Sequence, residues 1–237
     1  MNKGSKWPKT LPLLSKEQVG IKDEFISLWY NLIPSRFGFI ERFNHKYPIK
    51  MMNNNRSQIR TLEIGAGIGG HIAYEDLTRQ EYFAIELKPE MAEIIKERFP
   101  KCTVVVQDCQ ETLPFPSQTF DRIIAVHVLE HLPDLPSALK ELRRVCKKDG
   151  IFSAVIPCEG GFSYSLARSL STKRLLKKKF GKGDYRWLFQ SEHCNYPNEI
   201  IAEIRTLFKI VHIAYFPLVV PIKNLNLCIG LTMEALD

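Results

Sequence analysis

The fold is decided by the stretch RTLEIGAGIGG, residues 60–70. Residues 61–64 form a short apolar run with one carboxylate, and glycines follow it directly. A run this short, closed by glycines, predicts a buried strand that ends in a sharp turn. Four glycines among six residues let the backbone adopt positive φ and let a ligand approach the main chain. We expect residues 71–79 to continue as a helix whose free N–H groups point back at the turn.

Two kinds of ligand fit this turn. Gly65, Gly67 and Gly70 satisfy the dinucleotide pattern G-x-G-x-x-G. Glu86 follows at about the 20-residue distance where that pattern expects a ribose-binding carboxylate. The same residues also fit E-x-G-x-G-x-G, which begins at Glu63. A carboxylate there favours a cationic ligand, because it would repel the charge of a pyrophosphate. The turn by itself leaves both alternatives open.

Length and composition predict one large α/β domain with additions. The chain has 237 residues, 45% of them hydrophobic, and a formal net charge of +7. This charge permits an anionic substrate without requiring one. The six cysteines show no C-x-x-C pair and no metal-finger spacing, so reduced, buried thiols are expected. Because no apolar run is long enough for a signal peptide core or a membrane span, we expect a cytoplasmic protein.

Strands and helices alternate along the middle of the chain. We predict strands at 61–64, 82–86, 103–106, 120–128 and 151–156, and helices at about 89–99 and 134–148. A helix at 197–208 and two strands, at 210–216 and about 225–233, follow. The alternation predicts a parallel sheet with helices on both faces. Ligands bind such sheets beyond the carboxyl ends of the strands, where Glu86, Asp108 and His127 would meet the glycine turn.

The remaining segments are additions to this sheet. Residues 1–58 are predicted to form a loose arm, a cap of two helices, the first ended by Pro34, and a polar loop over 50–58. Residues 59–237 form the main domain, with an insertion at about 160–196. Between 160 and 187 the insertion has eight basic residues and one acid, Asp184. We expect it to form a mobile lid with the cap helices and to attract an anionic acceptor; a merely solvated surface is the alternative.

Five segments, in order, resemble the class I S-adenosylmethionine-dependent methyltransferases. They are LEIGAGIGG at 62–70, the strand-end Glu86, the Asp108 step, FDRIIAVHVLEHL at 120–132 and the L-x-x-L-R-R-V-C-K-K-D-G pattern at 139–150. The two late strands also resemble the antiparallel sheet edge of that family. The resemblance implies a Rossmann-like, seven-stranded, mostly parallel sheet with an antiparallel last strand. Helices would cover both faces, with the N-terminal helical cap and the basic insertion after strand 5 added to them.

The resemblance also implies the cofactor S-adenosyl-L-methionine and the residues that hold its methionine end. Glu63 and the turn formed by Gly65, Ala66 and Gly67 would bind this part of the cofactor. His127, just past the fourth strand, would line the rim near the sulfonium. A carboxylate beside a cationic ligand agrees with the charge argument made for the turn.

The same resemblance assigns the nucleoside end of the cofactor. Glu86, with Leu87 beside it, would accept hydrogen bonds from the two ribose hydroxyls, a bidentate role that suits a carboxylate. Asp108 would accept from the adenine amino group, with the backbone of Cys109 nearby. Taken alone, Asp108 is as well explained as a turn residue.

Methyl transfer from a sulfonium is an in-line displacement, which requires alignment and exclusion of water. A hydroxyl acceptor loses its proton near the transition state, and histidine is the side chain whose ordinary pKa suits that role. His127 and His193 are therefore the candidate catalytic bases. No metal ligand is predicted, because residues 127–131 resemble the metal-binding acid segment of ubiquinone-pathway O-methyltransferases only in their last two positions.

The expected acceptor is a small molecule or a glycan. No N/D-P-P-[FYW] loop follows the fourth strand, and the basic residues cluster without interleaved aromatic residues in the core of the cluster, so nucleic acid is not favoured. Three alternatives stay open: an RNA or protein methyltransferase, an NAD-type Rossmann oxidoreductase, and a non-catalytic cofactor-binding module. Calorimetry with S-adenosylmethionine and NAD separates the oxidoreductase from the rest, and a turnover assay separates the binding module.

Overall fold

The computed structural model describes residues 6–36, 38–52, 58–181 and 183–236, with the backbone alone over 29–36. Seven strands form one sheet: β1 Ile59–Ile64, β2 Gln80–Glu86, β3 Thr103–Val106, β4 Phe120–Val126, β5 Cys146–Pro157, β6 Phe208–Phe216 and β7 Cys228–Ala235. Their spatial order is β3-β2-β1-β4-β5-β7-β6. The first five strands pair in parallel, whereas β7 pairs antiparallel with both β5 and β6. The predicted seven-stranded, mostly parallel sheet with an antiparallel last strand is confirmed.

The α-helices of the described chain lie before, between and after these strands. They are α1 Lys16–Arg36, α2 Gly38–Lys50, α3 Pro89–Arg98, α4 Leu135–Val145, α5 Phe162–Leu170, α6 Thr172–Phe180, α7 Arg186–Glu192 and α8 Pro197–Ile204. Short 3-10 turns occupy Ile72–Tyr74, Leu129–His131 and Lys223–Leu225. No helix among the described residues is long and apolar enough to cross a bilayer.

Alternation along the strands divides the core between the two faces of the sheet. Ile123 and Ala125 of β4 join the larger apolar cluster, which includes residues of α4 and α8. Ile124 of β4 points the other way, into the cluster that contains Ile95 of α3. On that second face α2 covers β5 and β7, with Tyr47 packed against Val155. Helices therefore cover both faces, as predicted.

The predicted helix over 71–79 is wrong. The chain makes one 3-10 turn, Ile72–Tyr74, and becomes extended at Glu75, with φ −92° and ψ 147°. The Asp76 carboxylate then accepts hydrogen bonds from the backbone N–H (2.9 Å) and the hydroxyl (2.6 Å) of Thr78. A side chain that takes up nearby backbone donors in this way offers the chain a turn in place of a helix.

Several predicted boundaries also differ from the structure. Helix α1 continues through Pro34 to Arg36. Strand β4 ends at Val126, because His127 has a φ of 54°. Helix α4 ends at Val145 instead of near 148. Strand β5 begins at the next residue, and its first residues pair with β4 in an irregular register. Helix α8 likewise ends at 204, and the last strand begins at 228. Residues 1–5 of the predicted arm and 53–57 of the predicted loop lie outside the described residues.

The N-terminal cap and the insertion meet each other. Phe25 of α1 packs with Leu176 of α6 and Leu188 of α7 in a separate apolar cluster. Two ion pairs between α1 and the insertion, Lys22–Glu192 and Lys179–Glu24, border this cluster. The cap therefore has two parts, α2 on the sheet and α1 on the insertion. All six cysteines are free, and five of them are buried.

Gly230 of β7 provides a test of the contact between α2 and the sheet. A Cβ at Gly230 would lie 2.7 Å from the ring of Tyr47, whose hydroxyl shares a 2.9 Å hydrogen bond with Thr232. We predict that Gly230→Ala lowers the free energy of unfolding by about 1–3 kcal/mol, the usual cost of overpacking. Chemical denaturation measures this change.

Gly20→Ala is the matched control, because no atom lies within 4 Å of a Cβ at that position of α1. That substitution should leave stability unchanged or raise it by up to about 1 kcal/mol, since alanine favours a helix more than glycine does. Equal stability losses in the two variants would contradict the proposed packing.

Candidate active site

The glycine turn lies where the sequence predicted, directly after β1. Gly65, Gly67 and Gly69 have φ values of 61°, 59° and 80°. A Cβ at Gly65 would also lie 2.5 Å from Cγ2 of Val128, so this position requires glycine for both conformation and space. The backbone N–H of Ala66 donates to the carbonyl of Ile85 at 3.2 Å. The turn is thereby held against the carboxyl end of β2.

Glu86 ends β2 and fastens the turn a second time. Its Oε2 accepts the backbone N–H of Gly67 at 2.8 Å, and its Oε1 accepts the N–H of Lys88 at 3.0 Å. The residue is 6% exposed. A carboxylate offers about four lone-pair sites, so two acceptor sites remain after these bonds. Two free acceptor sites at a strand end match the number of donors on a ribose diol.

Beside Glu86 the rim contains an exposed apolar side chain and a loop carboxylate. Leu87 is 61% exposed, which offers a surface for a flat base. The Asp108 carboxylate accepts hydrogen bonds from the backbone N–H and the side-chain amide of Gln110, in the same loop, at 2.9–3.1 Å. The side chain of Cys109 is buried in the core, so any contact with adenine would come from its backbone.

Glu63 lies below the turn, on the opposite side of β1 from the larger core. Tyr82 donates its hydroxyl hydrogen to Glu63 Oε2 at 2.8 Å. Burial raises the pKa of the Glu63 carboxyl to about 8, although the Tyr82 hydrogen bond opposes the shift. The carboxyl is therefore largely protonated at neutral pH in the free protein. Repulsion of a pyrophosphate requires an ionised Glu63. Because the folded protein keeps Glu63 protonated, this repulsion is weaker than the sequence alone suggests.

A buried ionic network that the sequence analysis missed lies next to Glu63. Arg122 of β4 contacts Glu75 at 2.9 Å, and His71 shares the same carboxylate oxygen at 2.8 Å. Burial opposes ionisation of Glu75, but the His71 hydrogen bond and the Arg122 charge outweigh it and lower the pKa to about 2. An arginine between the buried strand residues Phe120 and Ile123 was the signal in the sequence for such a partner.

His127 follows β4 in a left-handed backbone conformation, with its N–H on the carbonyl of Val155 at 2.9 Å. Its Nδ1 donates to Oε1 of Glu130 at 3.1 Å, and about a third of its side chain is exposed. Glu130 is 1% exposed. Burial alone would keep this carboxyl neutral, but the His127 hydrogen bond and the nearby His131 lower its pKa to about 2. His127 thus lies at the rim and is hydrogen-bonded to an ionised, buried carboxylate.

His193 has an equivalent partner. Its Nδ1 donates to Oε2 of Glu159 at 2.9 Å, and Arg168 donates to the other oxygen at 2.6 Å. Burial opposes ionisation of Glu159, but these two partners lower its pKa. Arg168 also packs against the ring of Phe189 at 4.5 Å. The sequence analysis counted Arg168 among the basic residues that attract an acceptor; the structure instead places it inside the protein, on Glu159.

The two histidine–glutamate pairs adjoin each other. The rings of His131 and His193 lie 4.9 Å apart, edge to face. Glu130, His131 and His193 each have a ligand atom within 4.8 Å of the others, so this group could hold a metal ion. Glu130 Oε2 is buried and has no hydrogen-bond partner among the described residues. The sequence analysis did not favour a metal site in residues 127–131.

Two surface concavities lie away from this rim. One, of about 410 Å³, runs along β6 between Arg205 and Leu236. The other, of about 400 Å³, lies at the junction of α5 and α6. The candidate site is defined by the residues at its strand ends.

Comparison with known proteins identifies the class. Residues 62–154 match the family model of a methyltransferase domain. A structure of a SAM-dependent methyltransferase from Aquifex aeolicus superposes with a TM-score of 0.59 at 15% identity, covering 91% of this chain and 98% of that one. The chain therefore has the fold of the class I S-adenosylmethionine-dependent methyltransferases, and residues 62–154 are similar to the methyltransferase domain family.

Two of the relatives match less than half of this chain. The sterol 4-C-methyltransferase of Caenorhabditis elegans is 34% identical over 100 residues, which is 40% of this chain and 30% of the relative. An uncharacterised methyltransferase of Bacillus subtilis is 33% identical over 104 residues, 42% of this chain and 41% of the relative. The matches thus span less than half of each relative's length.

The cofactor of this fold class is S-adenosylmethionine, and the rim fits it. The turn presents backbone without side chains at its glycines, Glu86 keeps two acceptor sites, and Leu87 offers an exposed apolar surface. The contacts of individual residues with the cofactor stay a prediction.

The raised pKa of Glu63 gives a test of its surroundings. Glu63 is ordinarily ionised in the unfolded chain above its usual pKa but stays protonated in the folded protein up to about pH 8. The folded protein therefore loses stability as the pH rises from the usual carboxyl pKa of 4.5 to about 8, and none of this loss is present at lower pH. Glu63→Gln should be more stable than wild type by on the order of 2 kcal/mol at about pH 8, with little difference near pH 5. Thermal denaturation across this range measures the difference.

Glu97→Gln, on the exposed side of α3, is the control and should show no such trend. Parallel stability curves for wild type and Glu63→Gln would show that the pKa of Glu63 is not raised on folding.

Proposed function

We propose that the protein transfers the methyl group of S-adenosylmethionine to a hydroxyl oxygen of a small molecule or glycan. The observation that supports this most is the pair of histidines, His127 and His193, each held by a buried glutamate. A hydroxyl acceptor needs a base, and a histidine oriented by a carboxylate is suited to that role.

The chain's own residues would bind and align the cofactor. Bound S-adenosylmethionine supplies an electrophilic methyl group on a sulfonium. In our proposal, Glu63 and the turn of Gly65, Ala66 and Gly67 hold the methionine end. Glu86 accepts from the ribose hydroxyls, with Leu87, Asp108 and the Cys109 backbone around the adenine. Since transfer is an in-line displacement, rigid attachment of the turn to β2 contributes by fixing the direction of the methyl group.

The proton would leave through a histidine. A carboxylate can only accept, so Nδ1 of His127 carries the hydrogen that binds Glu130 and Nε2 has its lone pair free. His193 on Glu159 has the same arrangement. The glutamates stay ionised near neutral pH, because the pKa of each carboxyl is lowered in the folded protein. Each would orient its histidine and stabilise the positive charge that forms on the ring.

The relatives support a small-molecule acceptor and add a second candidate reaction. The nematode relative's name specifies a sterol, and it specifies transfer to carbon. Methylation of an acidic carbon also requires removal of a proton, so the same histidine pairs would suit it. Carbon methylation is therefore our second candidate.

Glu86 tests the cofactor part of the proposal. Glu86→Ala should weaken binding of S-adenosylhomocysteine by about 1–3 kcal/mol, because a charged acceptor of hydrogen bonds is lost. Isothermal calorimetry measures this change, with circular dichroism to show that the variant is folded. Glu81→Ala is the control, because that side chain lies on the exposed part of the same strand. Unchanged affinity in a folded Glu86→Ala variant would remove Glu86 from the cofactor site.

The two candidate bases are tested by separate substitutions. His127→Gln or His193→Gln, whichever removes the base, should lower kcat about 100- to 10,000-fold and abolish the acidic limb of the pH–rate profile. Affinity for S-adenosylhomocysteine should change little. His212→Gln is the control histidine, because it contacts Tyr47 on the far edge of the sheet.

Wild-type kcat and pH dependence in both variants would exclude a histidine base. Loss of activity in a chelator, restored by added magnesium, would instead assign Glu130, His131 and His193 to a metal site. Absence of any methyl transfer, together with intact S-adenosylhomocysteine binding, would leave the non-catalytic binding module.

A further inference from the structure

Helix α5 has a ridge of exposed apolar side chains. Phe162, Leu166 and Leu170 are 69%, 48% and 65% exposed. They are spaced four residues apart, so they lie along one side of the helix. The opposite side of α5 contributes Arg168 to Glu159 in the interior. We call these three residues the apolar ridge. A helix packed on one side has no reason of its own to keep large apolar residues on the other.

The loop between β6 and β7, residues 217–222, has the same character. Leu218, Val219, Val220 and Ile222 are all exposed, Val219 to 90%. The loop is nevertheless firmly held. Fully buried Asn226 accepts the N–H of Leu218 at 2.8 Å and donates to the carbonyls of Val220 and Ile222 at 2.9 Å. The buried side-chain amide of Asn226 thus holds in place a loop whose apolar side chains face solvent.

The ridge and the loop are neighbours. Helix α5 contacts the 3-10 turn Lys223–Leu225 that directly follows the loop. At the start of α5, a Cβ on Gly161 would lie 3.0 Å from the carbonyl oxygen of Lys223. The start of the ridge helix therefore lies next to the end of the loop.

Basic side chains border the apolar ridge. Lys173, Arg174, Lys177 and Lys178 of α6 are exposed, and we call them the basic face. Leu170 of the ridge lines the concavity of about 400 Å³ together with Lys173, Arg174 and Lys177. Among the described residues, Arg174, Lys177 and Lys178 form no ion pair with a carboxylate, whereas Asp184 is engaged by Arg186. The basic face therefore keeps its positive charge.

We propose that the apolar ridge, the 217–222 loop and the basic face together dock the protein on the surface of an anionic phospholipid bilayer. Apolar side chains enter the boundary between headgroups and acyl chains, while neighbouring lysines and arginines bind the lipid phosphates. A second copy of the chain is a poorer occupant, because it would bring two basic faces together. A nucleic acid would match the charge but not the aliphatic side chains, since bases bind by stacking on aromatic rings.

Docking in this orientation bears on the acceptor. Arg168 on the inner side of α5 holds Glu159, which in turn holds His193. The docked helix thus adjoins the histidine pairs, and the acceptor would be a lipid taken from the bilayer. This consequence rests on the proposed function, whereas docking itself does not.

Sedimentation with vesicles tests docking without any turnover. The full chain is mixed with vesicles of phosphatidylcholine alone, or of phosphatidylcholine and phosphatidylglycerol in equal parts. We expect binding to the anionic vesicles, little binding to the neutral ones, and loss of binding as salt is raised.

Two double variants divide the surface. Leu166→Glu with Leu170→Glu replaces two of the three ridge residues, and Lys177→Glu with Lys178→Glu reverses half of the basic face. Each should weaken partition onto anionic vesicles at least about tenfold, because each change removes apolar burial or charge attraction. Lys101→Glu with Lys148→Glu is the charge-matched control, and Ile94→Glu on α3 is the apolar control. All three residues are exposed and lie outside the proposed docking surface. The controls should bind as wild type does.

Four results would overturn the proposal: no binding of wild type to anionic vesicles, equal losses in controls and test variants, concentration-dependent dimers that the ridge variant abolishes, or RNA that displaces the protein from vesicles. Binding of S-adenosylhomocysteine is measured on every variant. A variant that loses vesicle binding but keeps cofactor binding is defective in docking alone. A variant that keeps vesicle binding but loses cofactor binding bears on the proposed function alone.

Discussion

The hydrogen bond from the Gly67 amide to the Glu86 carboxylate joins the two parts on which the rest of the site depends. It fixes the glycine turn after β1 to the end of the neighbouring strand, and the Ala66–Ile85 bond repeats the connection one residue earlier. Because the first five strands are parallel, Asp108 and His127 reach the same edge. The turn can approach β4 closely because Gly65 has no Cβ to meet Val128. One carboxylate therefore both builds the rim and remains available to a ligand.

The region below the turn shows how burial and charge divide roles between two carboxyls. Glu75 has Arg122 and His71 as partners and stays ionised, whereas Glu63 has a neutral hydroxyl and a raised pKa. Desolvation disfavours charge in both places, and at Glu75 the hydrogen bond from His71 and the charge of Arg122 reverse it. Removing one member of the Arg122–Glu75 pair would leave an unpaired buried charge.

Arg168 connects the two proposals made for this protein. On the inner side of α5 it holds Glu159 and, through it, His193. On the outer side the same short helix presents the apolar ridge to solvent. An element that holds part of the site on one side and a docking surface on the other would set the distance between bilayer and histidines. Helix α1 supports the insertion from behind through the cluster around Phe25.

The sequence by itself determined the strand positions, the class of fold and the set of residues at the strand ends. Those features follow from local periodicity and from the rule that parallel strands end at one edge. Tertiary structure decided the rest. His193 meets Glu159 and His131 across long separations in the chain, and no local pattern records such a contact. The protonation of Glu63 depends on its burial, which only the folded chain provides and which outweighs the hydrogen bond from Tyr82 on the neighbouring strand. Burial and non-local partners set the energies of charged groups, so these outcomes exist only once the chain is folded.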